Sequence, residues 1–278
     1  MPYLKVKKLR KYMGVQDDLA VVAAARALES AGLRARSVSE GLGERAGLYL
    51  AVGYIPFEQA DLDPLLAASL DADGNFSMEA FSTAGYRTVN GLLTFRCLPN
   101  MPAFHVSTNF DIQGPYFVTY PGPGQFYVAL EEAVIAVHEK DIDLALLGGV
   151  AHQRNFLVES HFRRIEPPLP AARLLDVAGC LVLERRSRAA ARGVLERARL
   201  VSYFSRYSPH APFEEPLPSL ESFFLHHTPR QFIPEGMSTA SLAVLLSRTA
   251  AEGRRGMWFH NVNCRDGSKG HSKWLVRA

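Results

Sequence analysis

Covalent catalysis on an α/β scaffold needs a nucleophile on a tight turn and a base within hydrogen-bond reach. The stretch Tyr120-Pro121-Gly122-Pro123-Gly124-Gln125 has the form of such a turn, since it lies between an apolar strand pattern and an apolar helix pattern. Its glycines permit the sharp backbone an elbow requires, yet it contains no Cys, Ser or Thr. The cysteines Cys97, Cys180 and Cys264 are far apart, with no CxxC pair and no metal-ligand spacing, and read as buried thiols of a reducing cytoplasm. A relocated nucleophile would need Cys97, Cys180 or Ser238 to meet His226, His227 or His260, and no motif around these residues indicates such a meeting. His105 reads as a core histidine. There is no GxxxxGK[ST], no Rossmann glycine fingerprint and no HExxH, so neither a cofactor nor a metal is implied.

The chain has 278 residues, enough for one large domain or two fused halves, and a net charge of +3, too weak to argue for nucleic acid. No apolar run is long enough to span a membrane, and the basic N-terminus lacks the apolar core of a secretory signal, so a cytoplasmic location is expected. Three local basic clusters stand out: Lys5, Lys7, Lys8, Arg10 and Lys11; Arg185, Arg186, Arg188 and Arg192; and Arg254, Arg255, Lys269 and Lys273.

The elements that must position the turn follow from periodicity. Residues 17–31 predict a helix with Asp17 and Asp18 in its first turn and Gly32 as its C-cap. Residues 45–54 predict a buried strand. A helical segment follows that Pro64 opens or interrupts, and then a turn at 71–75. Phe117 to Tyr120 reads as strand, 125–139 as helix, and 143–151 as a central strand buried on both faces. Residues 176–193 read as a strand running into a basic exposed turn, and 194–208 as an edge strand. The segment 208–221, with its four prolines, reads as loop. A helix capped by Ser238 or Thr239 and ended by Gly253 presents Leu242, Leu245 and Leu246, and two strands close the chain. Strands alternating with helices predict α/β layers, with related halves at 1–175 and 176–278.

The run FRCLPNMPAFHVSTNFDIQGP, residues 95–115, resembles the β-ketoacyl synthases, the condensing enzymes of fatty-acid and polyketide synthesis. DLALLGGV resembles that family's strand after the nucleophile helix, DVAGCLVLERRSRAAARG its Gly-rich strand and basic turn, and DGSKGHSKWLV its Gly-rich ending. The resemblance implies a thiolase-like fold, two βαβ-type halves layered α/β/α/β/α, here with a shortened second half. Counted from Gly114-Pro115, the family's nucleophilic cysteine falls on Pro123, which has no lone pair to attack a thioester. Glu235 or Gly236, not histidine, occupies the place of one family histidine motif, and His226-His227 is a relic of the other at the wrong spacing.

The resemblance therefore implies a non-catalytic subunit of the chain-length-factor type. Such a subunit pairs with an active ketosynthase and shapes the acyl tunnel in type II polyketide, aryl-polyene or fatty-acid-like synthesis. Phe117, Tyr120, Pro123, Gln125, Phe126 and Tyr127 would line the dimer interface and tunnel. Arg185, Arg186 and Arg188 would contact an acidic acyl carrier protein. The alternatives are a carrier-protein-binding scaffold and a condensing or acyl-transfer enzyme with a relocated nucleophile.

Overall fold

The computed structural model describes residues 3–33, 42–165, 168–208, 234–264 and 267–277. A 3-10 turn, Lys7–Tyr12, leads into α1, Val15–Ser30. The carboxylate of Asp17 accepts the N–H of Gly14 at 2.6 Å, which satisfies one of the helix's free amides. Gly32, at φ +66°, follows its last turn as expected. Strand β1, Ala46–Val52, is buried at every residue. Helix α2, Gln59–Ala67, runs through Pro64 rather than opening or breaking there. None of its residues is buried, so water can satisfy the carbonyl that Pro64 leaves without a donor. After a turn in which Asp71 accepts the N–H groups of Asp73 and Asn75, both at 2.9 Å, come α3, Met78–Thr83, α4, Leu93–Cys97, and α5, Met101–Phe110.

Strand β2 is Tyr116–Thr119, helix α6 is Gln125–His138, strand β3 is Leu144–Ala151 and helix α7 is Phe156–Arg164. Strand β4, Val177–Glu184, leads into α8, Arg186–Ala191, so the expected basic turn is a short helix. Strand β5 is Ala198–Tyr207, helix α9 is Ser241–Ala251, and strands β6, Gly256–Asn263, and β7, Ser268–Val276, close the chain. The proline-rich segment expected to be loop, with His226 and His227 beyond it, lies outside the described residues apart from Ser208.

The first sheet has the order β2-β1-β3-β4, parallel except for β4. The second has the order β5-β7-β6 and is antiparallel, with β5 at its edge as expected. The boundary expected at 175/176 falls just before β4. β4 pairs with β3 over its full length, from Leu144↔Glu184 to Ala151↔Val177, and the second sheet starts only at Ala198.

Side chains alternate across the first sheet and fill two cores. Leu48, Leu50, Val52, Leu144, Leu146 and Val150 pack with α1 and α5. Tyr49, Ala51, Ala145 and Leu147 face the other way, onto α6, α9 and the inner face of the second sheet at Trp274, Val262 and Val276. The order is helix, sheet, helix, sheet, which makes four of the five expected layers among the described residues. Helix α9 buries Leu242, Ala243 and Leu246, while Leu245 is only half-buried. Its cap is not the expected one: a 3-10 turn, Ser238–Ala240, precedes it and no side chain caps its N-terminus. Thr239 Oγ1 instead donates to the carbonyl of Val150 at 2.9 Å, because the turn is pressed onto β3.

Candidate functional site

The parallel strands β2, β1 and β3 end at one edge of the sheet, the edge where α/β folds place their chemistry. Strand β2 pairs only with β1, so its other side is a free edge among the described residues. The elbow follows it. Gly122 takes φ +97°, and Gln125, Phe126 and Tyr127 donate backbone bonds to the carbonyls of Gly122, Pro123 and Gly124. Thr119 Oγ1 donates to the carbonyl of Gln125 at 2.9 Å, closing the turn on itself.

Gly124 admits no side chain. A Cβ there would lie 2.4 Å from Ser268 Oγ and 2.5 Å from Ser268 Cβ, so β7 starts directly on the elbow. Pro123, at the tip, is half-buried. Of the residues expected around a tunnel, Tyr120 is 38% exposed and Phe117 and Gln125 are half-buried. Phe126 and Tyr127 are buried in this chain's own core, against which Phe117 of β2 packs.

The Tyr127 hydroxyl donates to the carbonyl of His260 at 2.8 Å and lies 2.7 Å from Nδ1 of the same residue and 3.1 Å from Ser272 Oγ. Trp274 Nε1 donates to Ser272 Oγ at 2.9 Å. A hydroxyl and an imidazole therefore do meet, but in a closed core. Burial holds His260 down to about 3, so its ring is neutral, and pushes the Tyr127 phenol up. This arrangement joins two layers and offers no substrate a way in.

The other nucleophile candidates are also inert. Burial raises Cys180 to about 12 and also raises Cys97, whose thiol donates to the carbonyl of Pro56 at 3.7 Å. Cys264 is buried at the end of β6. Ser238 stands in the left-handed region at φ +47°, its buried hydroxyl without a partner among the described residues. The peptide at Gly236, where the resemblance places a family histidine, packs so tightly that a Cβ would lie 2.2 Å from the carbonyl of Arg173. His105 is a core histidine: fully buried, both ring nitrogens without hydrogen-bond partners among the described residues, and held down to about 4 by burial.

One constellation escaped the sequence reading. His152, the first residue after β3, places Nδ1 2.8 Å from Asp176 and Nε2 3.1 Å from Glu58. Asp176 also accepts the N–H of Arg154 at 2.9 Å. The clasp ties the loops after β1 and β3 to the start of β4, at the same edge as the elbow. The signal was present in GGVAHQRN, where polar residues follow a central parallel strand at its C-terminal end. Among the described residues there is no group of three or more His, Cys, Asp or Glu side chains that could hold a metal ion.

The arginines expected to meet a carrier protein lie elsewhere. Arg185 donates to the carbonyl of Val137 at 2.9 Å and pairs with Asp143 at 3.3 Å. Arg188 and Arg192 both pair with Glu184, at 2.6 and 2.7 Å. Arg186 is 73% exposed and makes only a long contact, 3.8 Å, to Glu196. Glu184 faces Leu144 at the start of β3, so this cluster is at the opposite edge of the sheet, about 25 Å from the elbow by strand rise.

A four-stranded sheet between helices, with an elbow at the end of its edge strand and an antiparallel sheet packed beyond, defines a thiolase-like fold. Residues 3–165 match the beta-ketoacyl synthase N-terminal domain, and the chain belongs to that family. No curated protein matches it by sequence. Solved structures are similar. One is a type II PKS acyl-carrier protein in complex with its ketosynthase bound to the hexaketide, with a TM-score of 0.73 at 14% identity over 99% of this chain and 87% of that one. A second is the ishigamide ketosynthase/chain length factor, with a TM-score of 0.68 at 15% identity over 100% and 84%. A third is a beta-ketoacyl synthase from Burkholderia phymatum STM815, with a TM-score of 0.67 at 16% identity over 98% and 85%. At these identities the likeness is one of fold.

Proposed function

We propose that this chain is a catalytically silent ketosynthase-like subunit that pairs with an active β-ketoacyl synthase and forms one wall of the partner's acyl tunnel. The observation that carries the reading is Pro123 at the tip of a well-formed elbow, on a fold where burial raises the thiols of Cys97 and Cys180 above their ordinary range. A proline at that position cannot be acylated. The exposed edge of β2, with Tyr116 at 47% and Tyr120 at 38% exposure, supports pairing, because an unpaired aromatic edge suits a buried partner strand. The structural similarity to a ketosynthase/chain length factor supports the same reading. The chain built in such a complex belongs to polyketide, aryl-polyene or fatty-acid-like synthesis, and an acyl carrier protein delivers it.

Co-expression with a full-length Cys-His-His ketosynthase from the same genome tests this. The two chains should co-elute in a 1:1 complex whose condensing activity neither has alone. A stable homodimer that ignores the ketosynthase, or an acyl adduct at a defined residue of the isolated chain, would refute the proposal.

A further inference from the structure

Charge is distributed unevenly between the two edges of the first sheet. At the edge away from the elbow, Arg45, Arg185, Arg188 and Arg192 are all bonded to carboxylates, Asp143 or Glu184. The N-terminal segment is the opposite case. Lys5, Lys7, Lys8, Arg10 and Lys11 are all exposed, and nothing in the turn Lys7–Tyr12 is buried. Arg10 pairs with Asp18. The ammonium groups of Lys5, Lys7, Lys8 and Lys11 have no carboxylate within ion-pair distance among the described residues. Lys11 lies 4.8 Å from the centre of the Tyr12 ring, which meets Phe95 edge-on at 5.4 Å. Phe95 is itself 44% exposed, so the cations border an aromatic patch.

The segment is held in place. The N–H of Lys5 donates to Asn109 Oδ1 at 2.6 Å, and Leu4 packs against the core that α1 and α5 share. Its position in the fold is also set. It leads into the first turn of α1, where Gln16 Nε2 donates to the carbonyl of Tyr54 at 3.0 Å, two residues past the end of β1. β1 and β2 run parallel, so Lys11, next to the start of α1, stands toward the edge where β2 delivers the elbow, whereas Lys5, bonded to Asn109 near the end of α5, stands toward the opposite edge.

An array of unneutralised ammonium groups on an anchored backbone concentrates positive potential locally, although the whole chain carries only +3. Such an array speeds and orients encounter with an acidic surface, and the adjoining aromatic rings add apolar contact that a bare polyanion could not use. We infer that Lys5, Lys7, Lys8 and Lys11 form the docking surface for an acidic carrier protein along the N-terminal segment, running from the end of α5 toward the elbow edge, in place of the arginines of α8. The inference rests on the proposed function, since it takes the carrier from that reading.

The test uses the full chain and the phosphopantetheinylated acyl carrier protein encoded beside it, with binding measured over a salt series. The triple variant Lys7→Glu/Lys8→Glu/Lys11→Glu should weaken carrier binding at least tenfold and flatten its salt dependence. Arg186→Glu should leave binding within twofold. The triple variant should still co-elute with the ketosynthase, because the β2 edge is untouched. Carrier binding that survives the triple reversal overturns the inference, as do loss of binding on Arg186→Glu and absence of binding to the unaltered chain at low salt. Loss of ketosynthase pairing in the triple variant also overturns it, since the strip would then belong to the pairing face. If the unaltered chain binds the carrier through the lysines but no ketosynthase pairs with it, the pairing proposal fails and the docking surface stands.

Discussion

The hydroxyl of Tyr127 lies 2.7 Å from Nδ1 of His260, joining the third residue of the elbow helix to the middle of β6. The same hydroxyl reaches Ser272 on β7. A Cβ on Gly270 would lie 2.2 Å from the Tyr127 ring, so the second sheet is built around this phenol. Tyr127→Phe leaves the ring in place and strands the buried partners. The expected loss is about 1–3 kcal/mol, a fall in Tm of several degrees with no change in secondary structure, read by thermal denaturation and circular dichroism. An unchanged Tm would show that the network carries no net stability.

Stability should rise with pH between about 4 and 6.5. Burial holds His105 down to about 4 and His260 down to about 3, against an ordinary 6.5. On unfolding in this window both rings take up protons, so their contribution is present above 6.5 and is lost as pH falls. Asp17 opposes them. Burial raises its carboxyl from 3.8 to about 7, so its contribution is present at low pH and is lost as pH rises through this range. His271, also held down by burial, adds to the uptake, so uptake outweighs release on unfolding in this window. Urea denaturation at a series of pH values should show this slope, and Asp17→Asn should steepen it. A slope of opposite sign would contradict the assignment.

Adding one methyl at the elbow should disturb β7. Gly124→Ala places its Cβ 2.4 Å from Ser268 Oγ, so either the strand start or the elbow must shift. A cost of about 1–3 kcal/mol is expected. Ser268→Gly should recover part of it in a double-mutant cycle, because the clash lies between these two residues. Strict additivity would mean that the two positions do not touch.

Restoring the thiol should not restore the enzyme. In Pro123→Cys the sulfur sits at the elbow tip and should react with iodoacetamide. Condensing activity of the isolated chain should stay at background, because Glu235 or Gly236 stands where the resemblance places a family histidine and His260 is bonded into the core. Turnover by this single variant would show that the catalytic histidines are present after all.

The clasp at the sheet edge should depend on its inner acid more than its outer one. Asp176 lies 2.8 Å from the His152 ring and accepts the Arg154 N–H, whereas Glu58 is 54% exposed and meets only the ring. Asp176→Ala should cost about 1–3 kcal/mol and Glu58→Ala less than about 1 kcal/mol. Chemical denaturation of the two variants checks the order.

Much of the fold was legible because the signals are local. Seven buried residues in β1 and eight in β3 read as apolar runs, Gly32 ended α1, and the paired glycines of the elbow marked a sharp turn. That the elbow holds no Cys, Ser or Thr was equally plain, since residue identity alone says so. The cap of α9 misled, because Thr239 turned to a carbonyl on β3 that no local rule could see. Pro64 misled for the converse reason: an exposed helix tolerates the lost donor.

What sequence alone determined about this protein is its alternation of strands and helices, its elbow and the lack of a Cys, Ser or Thr in that elbow, all carried by spacing and residue type. Only the tertiary structure decided which charges are spent and which are free, that Tyr127 faces His260 rather than a partner, and that His152 lies between Glu58 and Asp176. These pairs are 4 to 133 residues apart in the chain, and such contacts arise from how layers pack, which periodicity does not encode.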